Sequence, residues 1–105
     1  YQAQYELGES YYQTKNLSKA LLILQNVADF QNDYQQDAQV RLAQIYINQG
    51  KSTDAQKYLE AVANSNDINI KNFASLELMK IFQNFLLHYF QNQCKWAFLR
   101  WLTTL

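Results

Sequence analysis

Apolar positions along this chain fall in stripes of helical spacing, and the stripes recur. Ala3, Leu7, Gly8, Tyr11 and Tyr12 are separated by steps of three and four, which is one face of a helix over residues 1–14. Leu17, Ala20, Leu21, Leu24, Val27 and Ala28 give a second stripe over 17–30. Ala38, Leu42, Ala43, Ile45 and Tyr46 give a third over about 34–49, and Ala55, Leu59, Val62 and Ala63 a fourth over about 52–64. Short polar breaks separate them, at 14–16, 31–33, 50 and 64–69. Gly50 stands where a helix end wants a left-handed residue. Asn16 or Ser18 is placed to cap the second helix, and Asp33 with Gln36 has the form of a capping box. Connectors this short set successive helices antiparallel and side by side.

The second pair of stripes copies the first at a shift of 35 residues. Leu7 returns as Leu42, Gly8 as Ala43, Tyr11 as Tyr46, Ala20 as Ala55, Leu24 as Leu59, Val27 as Val62 and Ala28 as Ala63. A third copy starts at a shift of 36, where Ala74, Leu78, Met79 and Phe82 follow Ala38, Leu42, Ala43 and Tyr46. A fixed period of this size is the mark of stacked repeats. Gly8 in mid-helix costs roughly 1 kcal/mol against Ala, so a neighbouring helix is expected against its backbone. After Phe82 the pattern lapses, and Leu86, Leu87 and His88 stand where a polar turn is due. The sequence predicts a helix running to about Phe90, a break at Gln91, Asn92 and Gln93, and a last aromatic helix over 94–104. The expected organisation is one repeat over 1–33, a second over 34–68, a partial repeat helix over 69–93 and a C-terminal helix over 94–105.

These residues resemble the tetratricopeptide repeat family, whose pattern sets Leu-Gly, then Tyr, then Ala, then a large apolar residue. Leu7, Gly8, Tyr11, Ala20 and Leu24 fit it, as do Leu42, Ala43, Tyr46, Ala55 and Leu59 with Ala for Gly. Leu78, Met79 and Phe82 match in part. The Trp that often opens the pattern is Gln4 and Gln39 here, and the Pro that often closes it is absent, with Asn32 and Asp67 near that place. The resemblance implies an all-α fold, an α-solenoid of antiparallel helix-turn-helix repeats with two full copies and a modified third. It also implies a concave groove lined by the first helices, which binds peptide or protein segments. That groove should expose Tyr5, Glu9, Tyr12 and Gln13, then Val40, Arg41, Gln44, Ile47 and Asn48, then Leu76 and Lys80. One family subgroup grips a partner's terminal carboxylate with Lys and Asn. The corresponding places hold Tyr5, Glu9 and Arg41, so that clamp is not expected.

Composition narrows the function further. The 105 residues carry nine basic and nine acidic side chains, no Pro and only two Gly. A balanced charge argues against a general nucleic-acid or membrane-surface role. No apolar run reaches the eighteen or so residues of a membrane span. Cys94 and His88 stand alone, outside any metal-ligand spacing, so neither a disulfide nor a zinc site is expected. No phosphate loop, paired-carboxylate motif or serine-nucleophile context is present, so no cofactor and no catalysis are expected. The chain opens on Tyr1 within a repeat, which reads as a piece of a longer protein. The expected function is a non-catalytic scaffold for protein ligands. The alternatives are a structural segment of a longer solenoid and a membrane-associated accessory module using the tail. In 83–105 apolar residues surround the helix, which demands burial on more than one side. The expectation is fold-back of part of the tail, with Trp96, Phe98 and Trp101 on the third helix and a residual aromatic surface for self-association. The alternatives are a tail that docks onto a second chain or a membrane, and an aberrant ending past about Phe82.

Overall fold

The computed structural model describes the backbone of residues 1–104 and the side chains of residues 1–91. Helices α1 (Gln2–Gln13), α2 (Leu17–Ala28), α3 (Gln35–Asn48), α4 (Ser52–Val62) and α5 (Ile68–Thr104) follow in order, with no strand among the described residues. Each helix packs against the next: α1 on α2, α2 on α3, α3 on α4 and α4 on α5. This is the α-solenoid architecture that the resemblance implies.

The two turns inside the helix pairs are built alike. The Lys15 N–H donates to the Tyr12 carbonyl and the Asn16 N–H to the Tyr11 carbonyl (3.1 and 2.8 Å). At the same shift of 35, Gly50 donates to Ile47 and Lys51 to Tyr46 (3.0 and 2.8 Å). Both are Schellman closures, which need a left-handed residue directly after the C-cap. Gly50 takes it at φ 75° and Lys15 at φ 63°. A Cβ-bearing residue is strained there by about 1–2 kcal/mol, partly offset by the greater chain entropy of glycine. Lys15→Gly should therefore raise stability by up to about 1 kcal/mol, read as a higher melting temperature, whereas Gly50→Lys should lower it.

The turns between pairs are also repeated. Asn32 Oδ1 accepts from the Tyr34 N–H at 2.8 Å, and Asp67 Oδ1 accepts from the Asn69 N–H at 2.9 Å. Each side chain thus replaces the family's proline by folding its own backbone two residues on. Asp67 also reaches the Ile70 N–H at 3.4 Å and so caps α5. The capping box expected from Asp33 and Gln36 does not form, because Gln36 Oε1 accepts instead from the Ser65 hydroxyl at 2.7 Å. Nor does a side chain cap α2, whose entry is fixed by the Schellman closure before it.

Burial follows the sequence register. Ala20, Leu24, Val27, Ala38, Leu42, Ala43, Ile45, Ala55, Leu59, Val62 and Ala74 are fully buried. Gly8 is buried beneath Leu24, whose Cδ2 and Cγ would lie 2.7 and 2.8 Å from an added Cβ. Leu7 departs from its counterpart: it is exposed while Leu42 is not. The cause is position in the stack, since α3 lies between α2 and α4 whereas α1 has α2 as its main packing neighbour and meets α3 through a few side chains.

The third copy begins as expected and then differs. Ala74 is buried like Ala38, and Ile70, Phe73, Leu78 and Ile81 pack against the core. The break expected at Gln91, Asn92 and Gln93 is absent, because α5 runs unbroken for 37 residues. Glutamine is a good helix former, asparagine only a middling one, and neither Gly nor Pro stands there to end the helix. The backbone accordingly has no turn on which the tail could fold back. Trp96, Phe98 and Trp101 lie outside the residues whose side chains are described. The long helix stretches the molecule to 68 × 30 × 19 Å.

Candidate functional site

The first helices of the two full repeats meet through polar and aromatic side chains. Arg41 of α3 makes a two-pronged ion pair with Glu9 of α1, Nε to Oε1 at 2.6 Å and an Nη to Oε2 at 2.8 Å. Its other Nη donates to Gln44 Oε1 at 2.7 Å. The guanidinium plane also lies 4.3 Å from the centre of the Tyr12 ring. Bidentate pairing and stacking on an aromatic face are what a planar guanidinium does better than an ammonium. The hydrogen bond that Arg41 donates to the Glu9 carboxylate is the largest influence on Arg41 and raises its pKa. One turn away, Tyr5 stacks on Tyr34 with ring centres 5.5 Å apart. Burial, then the charges of Glu9 and Asp37, push the Tyr5 phenol above its ordinary 10.0.

Helical spacing explains the juxtaposition. Tyr5, Glu9 and Tyr12 share one face of α1, while Val40, Arg41, Gln44 and Ile47 share a face of α3. Tyr5, Tyr12, Val40 and Ile47 are half-buried with their inner edges on the core. Gln13 and Asn48 are exposed at the ends of their helices. Lys80 is not drawn into this cluster; it is exposed on α5 with its ammonium 3.2 Å from Glu77 of the same helix. Leu76 is exposed on α5 too. The sequence reading missed Tyr34, which precedes α3 and corresponds to Ile70 at the shift of 36. It also missed a polar cleft of about 360 Å³ between the turn at 31–33 and the start of α5, lined by Asp33, Gln36, Asp37 and Asp67 among others. Among the described residues no group of three or more His, Cys, Asp or Glu side chains could hold a metal ion. No described helix is long and apolar enough to cross a membrane.

Paired antiparallel helices stacked at a constant period, with matching Schellman turns and matching small-residue contacts, define a helical-hairpin solenoid. The family model for the tetratricopeptide repeat matches residues 2–30 and 37–66, one helical pair each and together more than half of the 105 residues. The chain belongs to the tetratricopeptide repeat family. Searches of curated proteins and of solved structures gave no match. Tetratricopeptide repeats generally mediate protein–protein interaction or scaffolding, and the family is generally non-catalytic.

Proposed function

We infer that the face shared by α1 and α3 is a groove for an extended peptide segment of a protein partner, and that the chain acts as a non-catalytic scaffold. The observation that carries this reading is the Glu9, Arg41, Gln44 and Tyr12 cluster, which spans two repeats and remains partly open to solvent. Its side chains are already held by one another, so little rotamer freedom is left to lose on binding. Tyrosine and arginine are also the residue types most often dominant in protein interfaces. The charge on Arg41 is answered by Glu9. The groove therefore offers tyrosine rings, phenol hydroxyls, the Gln44 amide and the apolar edges of Val40 and Ile47, a surface suited to uncharged segments of mixed polarity. Gln13 and Asn48 form its exposed ends.

A peptide selected for binding to the chain should shift the amide resonances of Tyr5, Tyr12, Arg41, Gln44 and Ile47. Tyr12→Ala should weaken binding by about 10- to 30-fold, the loss typical of an aromatic contact of this kind. Shifts confined to α2 and α4 would place the peptide elsewhere and reject the groove.

A further inference from the structure

One side of α5 is apolar and uncovered where its counterparts in the first two repeats are covered. The side in question carries Met79, Phe82, Leu86, Tyr89 and Phe90, with Phe85 at its edge, at the three- and four-residue spacing of a helix face. In α1 the matching side holds Gly8 beneath Leu24 of α2. In α3 it holds Ala43, fully buried, and Tyr46, stacked on Tyr58 of α4. In α5 the exposures are 57% for Met79, 60% for Phe82, 68% for Phe85, 50% for Tyr89 and 56% for Phe90. Because α5 continues as helix through Thr104, the described chain supplies nothing to cover them.

We propose that this stripe is the interface of a two-fold dimer, in which α5 packs antiparallel on α5 of a second copy near Leu86. Three observations select a second copy. First, Met79 stands where Gly8 and Ala43 stand in the other repeats. Its bulk keeps a small-residue helix of the α2 or α4 kind at a distance but suits interlocking with another stripe of large side chains. Second, Lys80 and His88, the basic side chains within 79–90, lie off the stripe by helical spacing. An uncharged stripe is complementary to itself, as an interface between identical partners requires. Third, the area is sufficient. Five side chains of about 200 Å² each, half or more exposed, contribute roughly 500–600 Å² per copy, so a pair removes about 1,100 Å² from water, near the lower bound for a specific interface. Antiparallel packing follows from where the solenoid sits. Ile70, Phe73, Ala74, Leu78 and Ile81 fix the body at the start of α5. A parallel pair would bring both bodies to one end, whereas an antiparallel pair sets them apart and aligns the helix dipoles favourably.

Light scattering on the full chain, from low micromolar to several hundred micromolar, should show a mass rising toward twice the 12.4 kDa of one chain. Phe82→Glu should raise the dissociation constant about 100-fold or more and hold the mass at one chain. Phe90→Glu, farther from the packed part of α5, should do the same, with circular dichroism confirming that helix content is kept. Phe82→Leu should retain the dimer, as should Leu22→Glu, at an exposed site on α2. In a Cys94→Ser background, chains carrying Phe82→Cys should cross-link to chains carrying Phe90→Cys faster than either does to itself. A single-chain mass at every concentration would overturn the proposal and leave the stripe to a different partner. So would a dimer that survives both Glu variants, or one lost equally in Leu22→Glu. Preferred cross-linking of 82 to 82 would overturn the antiparallel arrangement.

Discussion

Leu24→Ala should cost about 2–5 kcal/mol, the range for removing a fully buried leucine when the surroundings close only part of the hole. A chain of this size has a total stability of about 5–15 kcal/mol, so the loss is a large share of it. The melting temperature should fall by at least about 10 °C. Leu24 is fully buried, and its isobutyl end fills the space above the Gly8 backbone. The same contact makes a reciprocal prediction. Gly8→Ala gains about 1 kcal/mol of helix propensity but drives a methyl into Leu24, and a clash in a packed core costs about 1–3 kcal/mol. The single variant should be destabilised or, at best, neutral. In the Gly8→Ala, Leu24→Ala double variant the added methyl occupies part of the vacated space. That pair should therefore be less destabilised than the sum of the singles by at least about 0.5 kcal/mol. Strictly additive losses in thermal melts would show that α2 does not approach α1 at Gly8.

The contacts that repeat were legible in the sequence, because a period is a comparison the chain makes with itself. Ala20 with Ala55, Leu24 with Leu59 and Val27 with Val62 were each marked by recurrence, and each is fully buried. Gly50 announced its turn, while Lys15 in the same conformation did not, since nothing in a lysine signals a positive φ. Capping was less readable. Gln36 looked like half of a local box, yet Ser65, 29 residues away in sequence, takes it. A local motif carries no information about a distant competitor. The site was legible in part for the same reason. Helical spacing gathers Glu9 and Tyr12 on one face and Arg41 and Gln44 on another, but their meeting depends on how the repeats stack, as does the stacking of Tyr34 on Tyr5. The tail failed as a local inference. Three consecutive amide side chains read as a connector, but without Gly or Pro they leave the helix intact.

Tyr58→Ala should cost about 3 kcal/mol, the lower part of the range for deleting a buried aromatic ring, because Tyr58 keeps 8% of its surface exposed. The ring is the joint of three helices. It lies nearly parallel to Tyr46, with centres 6.0 Å apart and planes inclined by 9°. The Tyr46 hydroxyl in turn accepts from the Gln25 amide at 3.1 Å, which ties α2 of the first repeat to α3 and α4 of the second. A double-mutant cycle between Tyr46 and Tyr58 should return a coupling of about 0.5–1.5 kcal/mol beyond buried area. Tyr58→Phe keeps the stacked ring and should cost less than about 1 kcal/mol near neutral pH. That milder variant also has a distinct alkaline signature. Burial, more than the nearby Tyr46, Asp29 and Asp54, raises the Tyr58 phenol above its ordinary 10.0. The folded chain therefore holds this proton after the unfolded chain has begun to release it. The contribution is complete below pH 10 and is lost as pH rises through the folded value. Removing the phenol removes that loss, so the stability of Tyr58→Phe should decline less steeply than that of the parent in urea titrations above pH 10. Parallel alkaline declines would show that the Tyr58 hydroxyl is as hydrated in the folded chain as in the unfolded one.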